Sequence, residues 1–213
     1  MKLAEIWRYP VKSMAGERLE AAELHADGIE GDRVVQVWDE RRRILTARNH
    51  PRLLAHQASL GAEGEPLVDG LAWTDPEVTR RVEAAAGRGA RLRRYEGEDR
   101  FDVRPLLVAT DGSLAAFGRD PRRLRPNLVI SGVAGLAERD WEGRSLRIGR
   151  AVVGLADLRG RCVMTTWDPD TQSQDVGVLR DIARRFDGRL CLNASVLEPG
   201  RIAAGDAVEL VDP

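Results

Sequence analysis

The chain has 213 residues, 43% of them hydrophobic and 31% charged, and 33 Lys+Arg against 34 Asp+Glu leave a net charge of −1. That length can bury a core without disulfide or metal staples, as one large domain or two small interlocked ones. The charge balance argues against disorder and against a general nucleic-acid surface, which needs a basic excess. No apolar run approaches the roughly 20 residues of a membrane span, and residues 1–7 read as a strand and not as a signal peptide. A cytoplasmic protein without membrane or nucleic-acid partners is expected.

Residues 2–9 alternate apolar and polar side chains and stop at Pro10, the pattern of a strand. Residues 33–38 form a second strand, the charged stretch 39–43 turns, and residues 44–48 and 53–60 continue an antiparallel pattern, with 61–70 as loop. Asp75 and Pro76 have the chemistry of an N-cap and a first helical position and predict a helix over 76–86. A boundary is expected within 87–99, dividing the chain into modules 1–95 and 96–213. The second half predicts strands over 127–131, 145–148, 151–156, 190–197 and 207–211. Thr110 or Asp111 can cap a helix over 113–117. Residues 176–186 place Val178, Leu179, Ile182 and Phe186 on one helical face before Gly188 ends it. Residues 198–202 and 205–206 carry turn chemistry. The fold class is mainly β with a few peripheral helices.

Cys162 and Cys191 are the two cysteines, so no all-cysteine zinc site or four-cysteine iron–sulfur site can form within the chain, and His25, His50 and His56 lack metal-ligand spacing. Cys162 follows Arg159 and Arg161 and precedes Thr165 and Thr166. Nearby positive charge and hydroxyl donors favour a thiolate, which suits a nucleophile or a soft-metal ligand. The bland alternative is a core cysteine at a strand end. Cys191, between Leu190 and Leu192, reads as structural. In Tyr9-Pro10-Val11-Lys12-Ser13-Met14 a strand breaks at proline and leaves a cation, a hydroxyl and free N–H groups able to hold a phosphate. A solvated turn is the alternative. Lys12 stands out because Lys2 is the one other lysine beside 31 arginines. Arg125-Pro126-Asn127 offers a forked donor and an amide that would serve an anionic heterocycle, or else a basic surface turn.

Taken together, these segments resemble the MOSC family, the domain shared by molybdenum-cofactor sulfurases and amidoxime-reducing components. Tyr9-Pro10-Val11-Lys12-Ser13, Gly31-Asp32-Arg33 and Thr46-Ala47-Arg48 look like the family's N-terminal β-barrel module. Arg125-Pro126-Asn127, Asp140-Trp141, Arg161-Cys162, Thr165-Thr166, Asp168-Pro169-Asp170-Thr171 and Gly205-Asp206 look like its catalytic module. The resemblance implies a MOSC-type β-barrel with a smaller N-terminal β module packed against it. It also implies a molybdenum cofactor (molybdenum on a molybdopterin dithiolene) between the two, with Cys162 as thiolate ligand to the metal. Lys12, Ser13 and Arg33 would hold the phosphate and pterin end, and Thr110, Arg125 and Asn127 would contact it from the other module. Arg159 stands where many relatives carry another cysteine. The implied activity is reduction of small N-hydroxylated or N-oxide substrates, with electrons from a separate donor protein, ferredoxin-like or a flavin reductase. A sulfur carrier that delivers persulfide from Cys162 to a metal centre is the rival reading.

Overall fold

The first strand, β1 (Lys2–Arg8), buries Leu3 and Ile6, which an alternating pattern would place on opposite faces. A register shift against its partner between Leu3 and Glu5 turns both inward, as a bulge does. Residues 1–212 are described in this computed structural model; Pro213, the last residue of the expected second module, lies outside them. After β1 come β2 (Glu17–Leu19), β3 (Ala21–His25), β4 (Gly28–Ile29), β5 (Val35–Trp38) and β6 (Ile44–Leu45). Then follow β7 (Ala58–Leu60), β8 (Pro66–Val68), β9 (Leu71–Ala72), α1 (Pro76–Ala86) and β10 (Arg91–Arg94). The second half contributes β11 (Leu106–Thr110), α2 (Asp111–Phe117), β12 (Leu128–Ser131), β13 (Ser145–Ile148) and β14 (Ala151–Gly160). It ends with α3 (Val176–Phe186), β15 (Arg189–Glu198), β16 (Gly200–Ala203) and β17 (Val208–Val211).

The main sheet has eight strands in the order β17-β13-β14-β15-β11-β12-β1-β2. Its neighbours pair antiparallel except β11 and β12, which are parallel and joined through α2. The barrel expected from the family resemblance is an open sheet whose ends approach each other without a continuous ladder. The ends of β1 and β17 meet at one bridge, Lys2 with Ala207, supported by Leu3 N donating to Asp206 O at 2.9 Å. The reason lies in β1: one edge pairs with β12, and Ile6 to Arg8 on the other edge are already taken by β2. Three small sheets complete the chain, β10-β5-β6, β16-β3-β4 and β7-β8-β9.

The cores follow this weave. Leu3, Ile6, Leu24 and Ile29 of the first half pack with Val153, Leu155 and Leu192 of the second. A separate core gathers Val11, Met14, Val35, Val37, Leu53, Val78 and Val82, and Met164 and Trp167 from the far end of the chain close it. A third places Val178, Ile182 and Phe186 of α3 against Phe117, Leu190 and Cys191, whereas Leu179, expected on the same face, is half-buried outside this cluster because it follows Val178 by about 100° around the helix.

All three helices start where capping chemistry puts them. The Asp75 carboxylate accepts from Glu77 N at 2.7 Å, Thr110 and Ser113 form a reciprocal capping box, and Asp175 accepts from Gly177 N at 2.9 Å. α3 stops at Asp187 and Gly188, both left-handed. Four strand expectations change. Residues 51–55 form a 3-10 turn, because Pro51 fits its first position, and the strand there shortens to β7. Residues 61–70 contain β8, paired with β7 and β9. Residues 46–48 leave the sheet in a turn closed by Asn49 N and His50 N on Thr46 O. Residues 200–203 form β16, ordered by pairing with β3 from the other half of the chain. Among the described residues no helix is long and apolar enough to cross a membrane.

Cys191 is fully buried in β15 with φ +67°, where burial pushes its thiol pKa up to about 11. Cys191→Ala should lower stability in denaturant unfolding by about 1 kcal/mol, a small cavity cost. In the folded wild-type chain Cys191 should resist alkylation until global unfolding.

Candidate active site

Pro10 ends β1, and the next residues are clamped to β5. Lys12 N donates to Val35 O at 2.9 Å and Val35 N to Pro10 O at 3.1 Å. The clamp leaves Ser13 buried with φ +73° and sends the Lys12 ammonium to Arg100 O and Asp102, each at 3.0 Å. Arg33 has φ +57°, donates its N–H to Tyr9 O at 2.8 Å and pairs its guanidinium with the fully buried Asp32. Arg125 has φ +56°, and its guanidinium lies 4.2 Å from the Tyr9 ring centre, which also carries Arg33 at 5.0 Å. Three residues predicted from the sequence are thus left-handed non-glycines, each costing about 1 kcal/mol or more, which persist only where the surroundings impose them.

Asn127, almost fully buried, joins the halves. Its amide nitrogen donates to Trp7 O and to Asp32 at 3.2 Å each, and its oxygen accepts from Leu107 N at 3.2 Å. It therefore positions Asp32 and, through it, Arg33. Tyr9 completes the junction by donating its hydroxyl to Pro126 O at 3.0 Å, and burial raises its pKa to about 12.

Cys162 follows the end of β14 and precedes a 3-10 turn, Val163–Thr166, with its thiol exposed. The threonine hydroxyls, expected near the sulfur, instead accept no such role: Thr165 donates to Cys162 O at 2.9 Å and Thr166 to Val163 O at 2.7 Å. They hold the turn. Arg123 ties the same turn to the 125–127 loop through Thr165 O, Thr166 O and a 2.7 Å ion pair with Asp168. The Asp168 carboxylate in turn folds the Asp168-Pro169-Asp170-Thr171 segment by accepting from Asp170 N and Thr171 N.

Lys12, Ser13, Arg33, Arg125, Asn127 and Cys162 line one cleft, with about 800 Å³ of open space including its mouth. Thr110 does not line it. Its hydroxyl caps α2 and meets Glu138 at 3.1 Å, so its chemistry is already committed. The cleft adds residues to which the sequence reading gives no role. Arg48 arrives on the turn after β6, and Asp102 sits on the strap between β10 and β11, paired to Arg48 at 2.6 Å. Burial pulls the Arg48 pKa down, but Asp102 and the neighbouring Cys162 outweigh it and hold the guanidinium above its ordinary value. The Thr46-Ala47-Arg48 motif carries a signal for Arg48. No local pattern marks Asp102.

Eight cations and one carboxylate line the cleft among the described residues. Arg125 is the sharpest feature, because no hydrogen bond or ion pair to its guanidinium occurs among the described residues and desolvation lowers its pKa to about 10. Arg161 donates to Leu124 O at 2.8 Å, yet its Nε is buried without a partner. Arg125 is half-buried, and a partly desolvated guanidinium with free donors is well satisfied by an anion. The lining therefore fits an anionic ligand, and its single thiol offers a soft donor at one end.

Fold and cleft define a mostly-β protein that presents a cation-lined cleft beside an exposed thiol. The chain belongs to the MOSC family: the model described as the MOSC domain matches residues 104–209 and that of the MOSC N-terminal beta barrel domain matches residues 1–85. It is 26% identical to mitochondrial amidoxime-reducing component 1 of Homo sapiens, across 98% of this chain and 82% of that protein. It is 27% identical to mitochondrial amidoxime reducing component 2 of Macaca fascicularis, across 89% and 72%. The YuaD protein from Bacillus subtilis shares the fold at a TM-score of 0.55 and 13% identity, covering 100% of this chain and 96% of that one.

Arg125→Met should weaken inorganic phosphate binding by about tenfold or more, the loss of one charge-assisted contact, while raising the melting temperature of the ligand-free chain. Because the Arg125 pKa is lowered to about 10, its charge is lost as pH rises through that value, so phosphate affinity should fall there. Calorimetric titrations at pH 8 and above pH 10 check both.

Proposed function

We propose that this chain is an oxidoreductase that holds a molybdenum cofactor in the cleft and reduces small N-hydroxylated or N-oxide substrates. The observation that carries this reading is the unpartnered Arg125 on the same cleft as the Cys162 thiol. The cofactor supplies, when bound, a two-electron redox centre. The chain's own residues do the rest. Lys12, Ser13 and Arg33, from module 1–95, bind the phosphate and pterin end, the lysine by charge and the serine by a directional hydrogen bond. Arg125, from module 96–213, adds a forked donor, and Asn127 keeps Asp32 and Arg33 in place. Cys162 contributes a thiolate to the metal and tunes it without acting as a base. Electrons come from a separate protein, a ferredoxin-like donor or a flavin reductase.

The exposed thiol is the specific observation that favours the rival, a sulfur carrier working through a Cys162 persulfide. Thiol labelling separates the two. For a metal ligand, Cys162 should be shielded in cofactor-loaded protein and become reactive once the cofactor is stripped. Rapid labelling of the loaded protein would overturn the ligand role.

Two variants extend the test. Cys162→Ser should fold and retain pterin through the phosphate contacts, yet lose reduction of a hydroxylamine-type substrate by a chemical electron donor. Lys12→Ala should lower cofactor occupancy at least about tenfold when cofactor is limiting, read as pterin content per chain.

A further inference from the structure

Asp102 is the one carboxylate among the described residues that line the cleft, and cations from three separate elements converge on it. Lys12 lies at 3.0 Å, Arg48 at 2.6 Å and Arg159 at 3.7 Å. We propose that Asp102 is a tethered counter-anion: it fills an oxyanion seat of the cleft and yields that seat when the phosphate-class oxyanion of a ligand arrives. The inference rests on the anion-binding reading of the cleft given above.

The strap that carries Asp102 is anchored without it. Arg100, 3% exposed, donates to Asp32 O at 3.3 Å and to Glu96 O and Asp27 O at 3.0 Å, and pairs with the Asp27 carboxylate at 2.6 Å. Its guanidinium also lies 4.4 Å from the Phe101 ring centre. Asp102 can therefore leave its cations while the strap stays attached at Arg100, and its side chain, 34% exposed, already meets solvent. A second role, proton donor to a substrate, fits poorly. Burial works to raise the Asp102 pKa, but Lys12, Arg48 and Arg159 prevail and hold it below the usual carboxylate range, so it carries no proton to give. A phosphate dianion offers the same three cations more charge and a third oxygen, so exchange is favourable once it enters.

The test compares wild type with Asp102→Asn, using the full chain made in a host that supplies no molybdenum cofactor and inorganic phosphate as the probe. Removing the internal competitor should tighten phosphate binding about tenfold or more. Asp102→Ser provides the same comparison should asparagine disturb the strap. Equal or weaker phosphate binding by both variants overturns the proposal and leaves the anion cleft intact, whereas binding by neither wild type nor variants overturns both. Repeating the titration on cofactor-loaded chain distinguishes the source of the oxyanion. If it is the cofactor's own phosphate, loaded chain excludes the probe and Asp102→Asn loses pterin more slowly on dialysis. If it belongs to a substrate, loaded chain still binds phosphate and Asp102→Asn binds it more tightly. Identical behaviour of wild type and Asp102→Asn in both respects overturns the proposal here as well.

Discussion

One buried carboxylate organises the site. Asp32, with no exposed surface, accepts from Tyr9 N at 2.7 Å and from the Asn127 amide at 3.2 Å, and pairs with Arg33. Each partner belongs to a different structural job. Tyr9 N fixes where β1 ends, Asn127 ties in the loop before β12, and Arg33 is a wall of the cleft. A buried charge is tolerated when every lone pair has a donor, and the three donors here come from both halves of the chain. Ion pairing and packing are thereby joined, since the Tyr9 ring held by this arrangement is the platform on which Arg33 and Arg125 stack.

The rest of the cleft runs against stability. Like charges crowd together, Ser13, Arg33 and Arg125 hold left-handed backbones, and Arg125 is partly desolvated without gaining a hydrogen bond or ion pair among the described residues. Such features concentrate where a ligand later supplies the missing interaction. The scaffold tolerates them because the surrounding cores are extensive and paired strands, β11 with β15 and β14 with β15, reach the cleft wall itself. Arg100 and Arg123 show the opposite use of the same residue type: both spend their donors on backbone carbonyls and carboxylates and act as clasps. Chemistry in this chain is therefore decided by where an arginine's donors go and not by its presence.

That explains what could be read from the sequence. Helix starts at Asp75 and Thr110 were legible because capping is settled within three residues. Lys12, Ser13, Arg33, Arg125, Asn127 and Cys162 were legible as a set because their local motifs are distinctive, and the fold brings all six to one cleft. Thr110 shared the motif logic but its hydroxyl serves the helix it caps. β16 was hidden because its pairing partner, β3, lies some 180 residues away, and the proline and glycine before it carry an ordinary turn signal. Asp102 was hidden for the same reason. One aspartate among 34 acidic residues acquires meaning only when Lys12, Arg48 and Arg159 arrive around it from distant segments.

The weave of the chain also constrains how a ligand gains access. β1 belongs to the first half and is an interior strand of the main sheet between β12 and β2, while β16 from the end of the chain pairs with β3. Met164 and Trp167, just past Cys162, pack into the core of the first half. Separating the halves as rigid bodies would break strand ladders and expose two cores at once, a cost on the scale of unfolding. Opening must come instead from elements held mainly by side chains. Around this cleft the strap after Arg100 fits that description, because it lies outside the sheet ladders and crosses the mouth on ion pairs that water and an incoming anion can replace. The fold thus fixes the positions of the thiol and the cleft cations through strands and cores, whereas the segment that carries the opposing charge is held by side-chain ion pairs.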